Sequence, residues 1–132
     1  MNTIHFKQIV IFKTSPEEIY NALMDSKKHS LFTGGKAVIG KKVGDTYSAY
    51  DDYISGKNIE LIPGKKILQT WKATDDGWPE GHYSTIEFVF KKTKEGTELQ
   101  FTHTNIPTTV KANYAQGWDD YYWEPMKAMV EK

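Results

Sequence analysis

The sequence predicts an α+β fold in which an antiparallel sheet of about seven short strands is closed by a C-terminal helix. Three observations predict it. From Lys36 to Ile106 the chain breaks into short β-type runs separated by Gly, Asp and Pro. A helix-start signal, Ser15-Pro16-Glu17-Glu18, follows directly on a first strand. Five aromatics then fall in the ten residues from Tyr114 to Trp123, at helical spacing.

The first strand reads as Thr3 to Lys13, with Ile4, Phe6, Gln8, Val10 and Phe12 on one side and Ile9 and Ile11 on the other. Both sides carry apolar residues, so alternation alone leaves the inward face open. Ser15 then suits an N-cap, with Pro16 at the first helical position and Glu18 three residues past the cap, which together make a capping box. Ile19, Tyr20 and Leu23 give this short helix an apolar side. A further helical turn or two runs from Ser26 to Phe32 and stops at Gly34-Gly35.

Six β-type runs follow, at Lys36 to Ile39, Thr46 to Tyr50, Ile54 to Leu61, Lys66 to Ala73, Gly81 to Lys92 and Thr97 to Ile106. Gly44-Asp45, Asp51-Asp52, Ile62-Pro63-Gly64 and Lys94-Glu95-Gly96 supply the breaks, and connections this short imply antiparallel neighbours. The last hairpin has a readable register. For Ile86, Phe88 and Phe90 to share a side with Leu99 and Phe101, the loop must be Thr93 to Gly96, with Gly96 in the left-handed position. Phe90 then faces Leu99, Phe88 faces Phe101 and Ile86 faces His103, which puts an imidazole on the apolar side.

On an ideal closing helix, Tyr114, Trp118, Tyr121, Tyr122, Pro125 and Met129 lie within roughly 60° of Trp118, and Trp123 points about 140° away, toward solvent. Such a stripe either packs as core or lids an apolar cavity. Pro125 lacks the N–H that would serve the Tyr121 carbonyl, so an irregular turn is predicted there.

Length suits one domain over residues 1–132. Cysteine is absent, which excludes disulfides and thiolate chemistry. The first strand shows neither a signal peptide nor a membrane span, and the cytoplasm is the expected compartment. All 17 basic residues are lysine, balanced by 17 acids, with the two halves of the chain near +3 and −3. A balanced chain without arginine lacks the concentrated basic face that nucleic acid requires. His5, His29, His82 and His103 have no ligand spacing, and no nucleophile elbow, phosphate loop or dinucleotide fingerprint occurs. No metal, cofactor or catalytic residue is therefore assigned, and the protein is not expected to be an enzyme.

Two features stand apart. His103 reads either as a satisfied core histidine or as the polar handle of a cavity. Trp78-Pro79-Glu80-Gly81-His82 reads either as a plug at the end of the sheet or as a partner hot spot.

The motifs Leu61-Ile62-Pro63-Gly64-Lys65-Lys66-Ile67, Trp71-Lys72, Trp78-Pro79-Glu80-Gly81-His82-Tyr83-Ser84-Thr85-Ile86, Gly96-Thr97-Glu98-Leu99 and Gly117-Trp118 with Tyr121-Tyr122-Trp123 resemble the C-terminal domain of the activator of heat-shock protein 90 ATPase. That family lies within the START-like, birch-pollen-allergen-like (SRPBCC) superfamily. The resemblance implies a helix-grip fold, a curved sheet around the long closing helix, and a co-chaperone that binds an Hsp90-type chaperone and stimulates its ATPase. On this reading Trp78, Glu80, His82 and Trp123 are the candidate partner-binding residues. The alternative is a carrier of a hydrophobic small molecule or lipid between sheet and helix, with Trp71, Ile86, Phe88, Phe101, Trp118 and Tyr122 as walls and His103 as the handle.

Overall fold

The structure is a computed structural model that describes residues 1–131; Lys132, the end of the predicted domain, lies outside the described residues. The chain runs β1 (Thr3–Phe12), α1 (Pro16–Met24), α2 (Ser26–Thr33), β2 (Val38–Ile39), β3 (Thr46–Ala49), β4 (Ile54–Ile62), β5 (Lys66–Ala73), β6 (Ser84–Lys92) and β7 (Thr97–Pro107). The closing helix has three parts: α3 (Tyr114–Trp118), a π-helical turn (Asp119–Trp123) and α4 (Glu124–Val130). The strands form one antiparallel sheet in the order β1-β7-β6-β5-β4-β3-β2. The pairing is irregular between Ile4 and Phe6 on the edge strand β1 and between Asn58 and Glu60 on the interior strand β4, the kind of break that bends a strand locally. The result is the expected α+β helix-grip architecture.

Local chemistry sets the elements much as the sequence suggests. The Ser15 hydroxyl accepts the Glu18 amide at 3.3 Å and Pro16 takes the first helical position. Asp25 caps α2 through the Lys28 amide at 3.0 Å, and Gly34, at φ 78°, ends that helix in the left-handed conformation. From Phe6 onward the ambiguous β1 turns its even residues inward: Val10 and Phe12 are buried, Phe6 and Gln8 half-buried, and Ile9 and Ile11 exposed on the outer face, whereas Ile4, before the break in pairing, is exposed. The last hairpin adopts the predicted register, with Phe90 opposite Leu99, Phe88 opposite Phe101 and Ile86 opposite His103. At Gly96 a Cβ would stand 2.2 Å from the Phe12 carbonyl oxygen, so the position requires glycine.

The predicted irregularity in the closing helix is a full π turn. The Glu124 amide donates to the Asp119 carbonyl, five residues back. Because residue i+5 of a π turn comes over residue i, Trp123 stacks on Trp118, with ring centroids 5.4 Å apart and planes at 22°. This corrects two expectations drawn from an ideal helix. Trp123 is 2 % exposed rather than outward-facing, and its Nε1–H donates to Gln8 Oε1 at 2.8 Å, so it offers no surface to a partner. Tyr121, expected in the core stripe, is 60 % exposed. The Tyr121 carbonyl, which Pro125 cannot serve, accepts the Tyr50 hydroxyl at 2.7 Å.

A mutational contrast checks this arrangement. Trp123→Ala should cost about 3–5 kcal/mol in urea unfolding, the price of a large buried aromatic. Tyr121→Ala, on the exposed side, should stay within about 1 kcal/mol of the parent.

Candidate functional site

The space between sheet and closing helix is mostly filled by aromatic packing. Phe101 lies 4.4 Å from Trp118, 5.1 Å from Trp123 and 5.0 Å from Phe88, centroid to centroid. A void of about 10 Å³ remains beside Ile86, Phe88, Trp71, Trp118 and Tyr122, room for roughly one water. Ile86, Phe88, Phe101 and His103 therefore sit in packed core and do not wall a deep cavity. The physical reason is Trp123, which the π turn rotates into the volume that the sequence left open.

His103 is fully satisfied. Trp118 Nε1–H donates to its Nδ1 at 3.2 Å, so the ring carries its proton on Nε2, which lies 2.9 Å from Ser84 Oγ. Ser84 in turn donates to the Trp71 carbonyl at 2.8 Å. His29 is a second buried imidazole. Its Nδ1–H donates to the Leu23 carbonyl at 2.9 Å, and its Nε2 accepts the Tyr122 hydroxyl at 2.8 Å. Burial pushes His103 down to about 3. It pushes His29 down to about 4, against a smaller upward pull from the Leu23 carbonyl. Both rings are neutral at pH 7 and tie the helix to the rest of the fold.

The open space lies elsewhere, at the N-terminal end of the closing helix. A cleft of about 540 Å³ is bounded by Tyr50 and Tyr53 from the β3–β4 turn, Trp71 and Asp75 from the end of β5 and beyond, and Tyr114, Trp118, Tyr121 and Tyr122 from the helix. Of the seven residues predicted to form a cavity, Trp71, Trp118 and Tyr122 reach this cleft. The Tyr53 and Tyr114 hydroxyls both donate to Asp75 Oδ2 at 2.5 Å. Burial, with the Asp75 carboxylate added, raises both phenols above their ordinary range, so they remain donors. Burial also lifts Tyr50 to about 12, with a further push from Tyr121. Trp71 Nε1–H is sealed from solvent and has no acceptor among the described residues, a cost of about 1–3 kcal/mol in a folded interior.

The turn that carries Tyr50 and Tyr53 is strained. Tyr50, Asp51 and Asp52 have φ of 52°, 55° and 72°, a run of left-handed backbone that bulky residues rarely adopt. Tyr50, Tyr53, Asp75 and Tyr114 were not among the candidate site residues. Asp75 reads in sequence as one of a turn pair, and no local pattern brings together three segments separated by more than twenty residues each.

The Trp78-Pro79-Glu80-Gly81-His82 segment is pinned beside this cleft. Trp78 is half-buried, edge-on to Trp71 at 5.7 Å, and its Nε1–H donates to the His82 carbonyl at 2.8 Å. His82 Nε2–H donates to the Asn105 carbonyl at 2.8 Å. Glu80 is exposed. The segment thus plugs the end of the sheet while presenting Glu80 and parts of Trp78 and His82 to solvent. Among the described residues, no group of three or more His, Asp or Glu side chains is placed to hold a metal, and no helix is long and apolar enough to cross a membrane.

Comparison with known proteins places this geometry. The family model described as Activator of Hsp90 ATPase homolog 1-like protein matches residues 13–131. The chain belongs to that family. It is 34 % identical over 116 residues to the human activator of 90 kDa heat shock protein ATPase homolog 1, covering 88 % of this chain and 34 % of the relative. It is 31 % identical over 108 residues to the activator of 90 kDa heat shock protein ATPase homolog of Dictyostelium discoideum, covering 81 % of this chain and 28 % of the relative. The chain thus spans about a third of the length of the curated relatives it matches. Among solved structures, an HSP90 activator from Plasmodium falciparum superimposes with a TM-score of 0.84 at 28 % identity, covering 98 % of this chain and 96 % of that one. A Chromobacterium violaceum protein superimposes with a TM-score of 0.76 at 20 % identity, over 99 % and 98 % of the two chains, and shares the fold.

The two buried imidazoles give a pH signature. Unfolded, each histidine titrates near 6.5; folded, near 4 for His29 and near 3 for His103. The unfolded state therefore binds more protons as pH falls below 6.5. Stability, complete above that pH, should drop by about 1.4 kcal/mol per pH unit for each ring until the folded values are reached. Urea unfolding at pH 7, 6 and 5 reads this slope, and His103→Gln should remove about half of it.

Proposed function

We propose that this chain binds an Hsp90-type chaperone and stimulates its ATP hydrolysis, acting as a regulator rather than as a catalyst, in the cytoplasm. The observation that carries the reading is the family match over residues 13–131, together with relatives and a solved neighbour named as Hsp90 activators. The Trp78-Pro79-Glu80-Gly81-His82 segment, with Glu80 exposed and Trp78 and His82 half-buried, is the proposed docking edge. It is held rigid by its own hydrogen bonds, so that Glu80 and the free edges of Trp78 and His82 meet a partner without an ordering cost. Trp123, being buried, has no part in that contact.

A second reading is favoured by the cleft at the N-terminal end of the closing helix. Its size and aromatic walls suit a small molecule with an apolar body resting on Trp71, Trp118 and Tyr122. The two roles occupy different surfaces and do not exclude each other.

A coupled ATPase assay with the Hsp90-type chaperone of the source organism tests the first reading. Adding this protein should raise the turnover rate, and an unchanged rate at saturating concentration would overturn the proposal. Glu80→Lys should weaken the apparent affinity by about threefold to tenfold while leaving the unfolding midpoint in place.

A further inference from the structure

The cleft combines three properties that together restrict what it can hold. Its walls are mostly aromatic rings. Asp75 is the only charged side chain among its lining residues. That carboxylate is oriented by two phenols on one oxygen, Oδ2, while Oδ1 has no hydrogen bond among the described residues. Aromatic faces carry negative charge at their centres and attract cations. An isolated carboxylate at the mouth of an apolar cleft does the same and repels anions, including fatty acids. A neutral apolar ligand would gain from the walls but would bury the free carboxylate oxygen without a partner, which is unfavourable.

The cage is also built in advance. Tyr50 is anchored across the cleft by its hydroxyl on the Tyr121 carbonyl, Tyr53 and Tyr114 are anchored on Asp75, and the turn that carries Tyr50 and Tyr53 keeps a strained left-handed backbone. Left-handed backbone of this kind gathers at binding sites, although this turn also has structural partners, since Asp51 exchanges hydrogen bonds with the Lys36 backbone.

We propose that the cleft binds a small organic cation, a protonated or quaternary amine with a flat or aliphatic body, its charged head between Tyr53, Tyr114 and Asp75 Oδ1. This rests on the cleft being a small-molecule site, the second reading above. The body lies against Trp71 and Trp118, and the exposed Tyr121 forms the outer rim. A volume of about 540 Å³ admits a ligand of metabolite size and leaves the head group partly hydrated at the open side.

The test is an NMR titration of the intact protein, following the indole N–H signals of Trp71 and Trp118. Choline is the cationic probe and 3,3-dimethylbutan-1-ol its neutral isostere. Choline should shift both signals saturably, and the alcohol should bind about tenfold or more weakly. Asp75→Asn, which keeps an acceptor for the two phenols, should bring choline down to the level of the alcohol. In the unmodified protein, raising the ionic strength should weaken choline and leave the alcohol unchanged, a reading that does not depend on any variant folding. Equal binding of the two probes, insensitive to salt and to Asp75→Asn, overturns the cation proposal and leaves the small-molecule reading standing. Shifts from neither probe overturn both.

Discussion

Pro125 cannot donate a backbone hydrogen bond, and the arrangement of the closing helix follows from that lack. The helix widens into a π turn just before the proline, and the widening changes which side chains face the sheet. Four of the residues from Trp118 to Trp123 then each make a hydrogen bond to a different part of the fold. Trp118 reaches His103 on β7, the Tyr121 carbonyl receives Tyr50 from the β3–β4 turn, Tyr122 reaches His29 on α2, and Trp123 reaches Gln8 on β1. An ideal α-helix would leave Trp123 outside and Tyr121 inside, and two of these four ties would be lost. The proline thus acts as a positioning device, replacing a missing local bond with contacts that span the molecule.

These ties explain why an aromatic interior contains so many polar groups. Gln8 serves three partners at once, accepting from Trp123 and donating to the Ala115 carbonyl and Asp119. Asn58 donates to the Gly40 and Lys42 carbonyls and accepts from Gln69. Apolar burial is non-directional and would let the helix slide or rotate against the sheet. Buried hydrogen bonds of fixed geometry cost much when broken, so they select one rotation and one depth. The neutral histidines belong to this set: each joins a donor on the helix to an acceptor elsewhere, which an ionised ring could not do.

Sequence patterns of short range were legible, and those that depend on long-range closure were not. The capping of α1, the left-handed glycine after α2 and the register of the β6–β7 hairpin all follow from residues within a few positions of one another, where turn chemistry and period-two alternation decide the outcome. The placement of β1 beside β7, which settles its inward face, comes from pairing between residues as far apart in the chain as Phe12 with Thr97 and Thr3 with Pro107. Pro125 flagged an irregular turn, yet its consequence could not be read, because a helical projection assumes a constant angle per residue and the π turn changes it midway. Trp123 and Tyr121 exchanged places for that reason alone. The cleft was less legible still: Asp75 looks like a turn residue until Tyr53 and Tyr114 arrive from distant segments.

The filled interior and the open cleft are two results of the same packing. Trp123 fills most of the deep end of the space under the helix, and the open cleft lies near the start of α3, where Ala112, Asn113 and Gly117 contribute little side-chain volume. That open end adjoins the connection between β5 and β6. Asp75 lies in this connection, its carbonyl accepts the Trp78 amide at 3.2 Å, and Trp78 in turn packs on Trp71 at the cleft wall. A ligand that engages the Asp75 carboxylate would therefore act on the segment that carries Trp78, Glu80 and His82. The proposed ligand cleft and the proposed docking edge share one short piece of backbone, so occupancy of one would bear on the other through that segment.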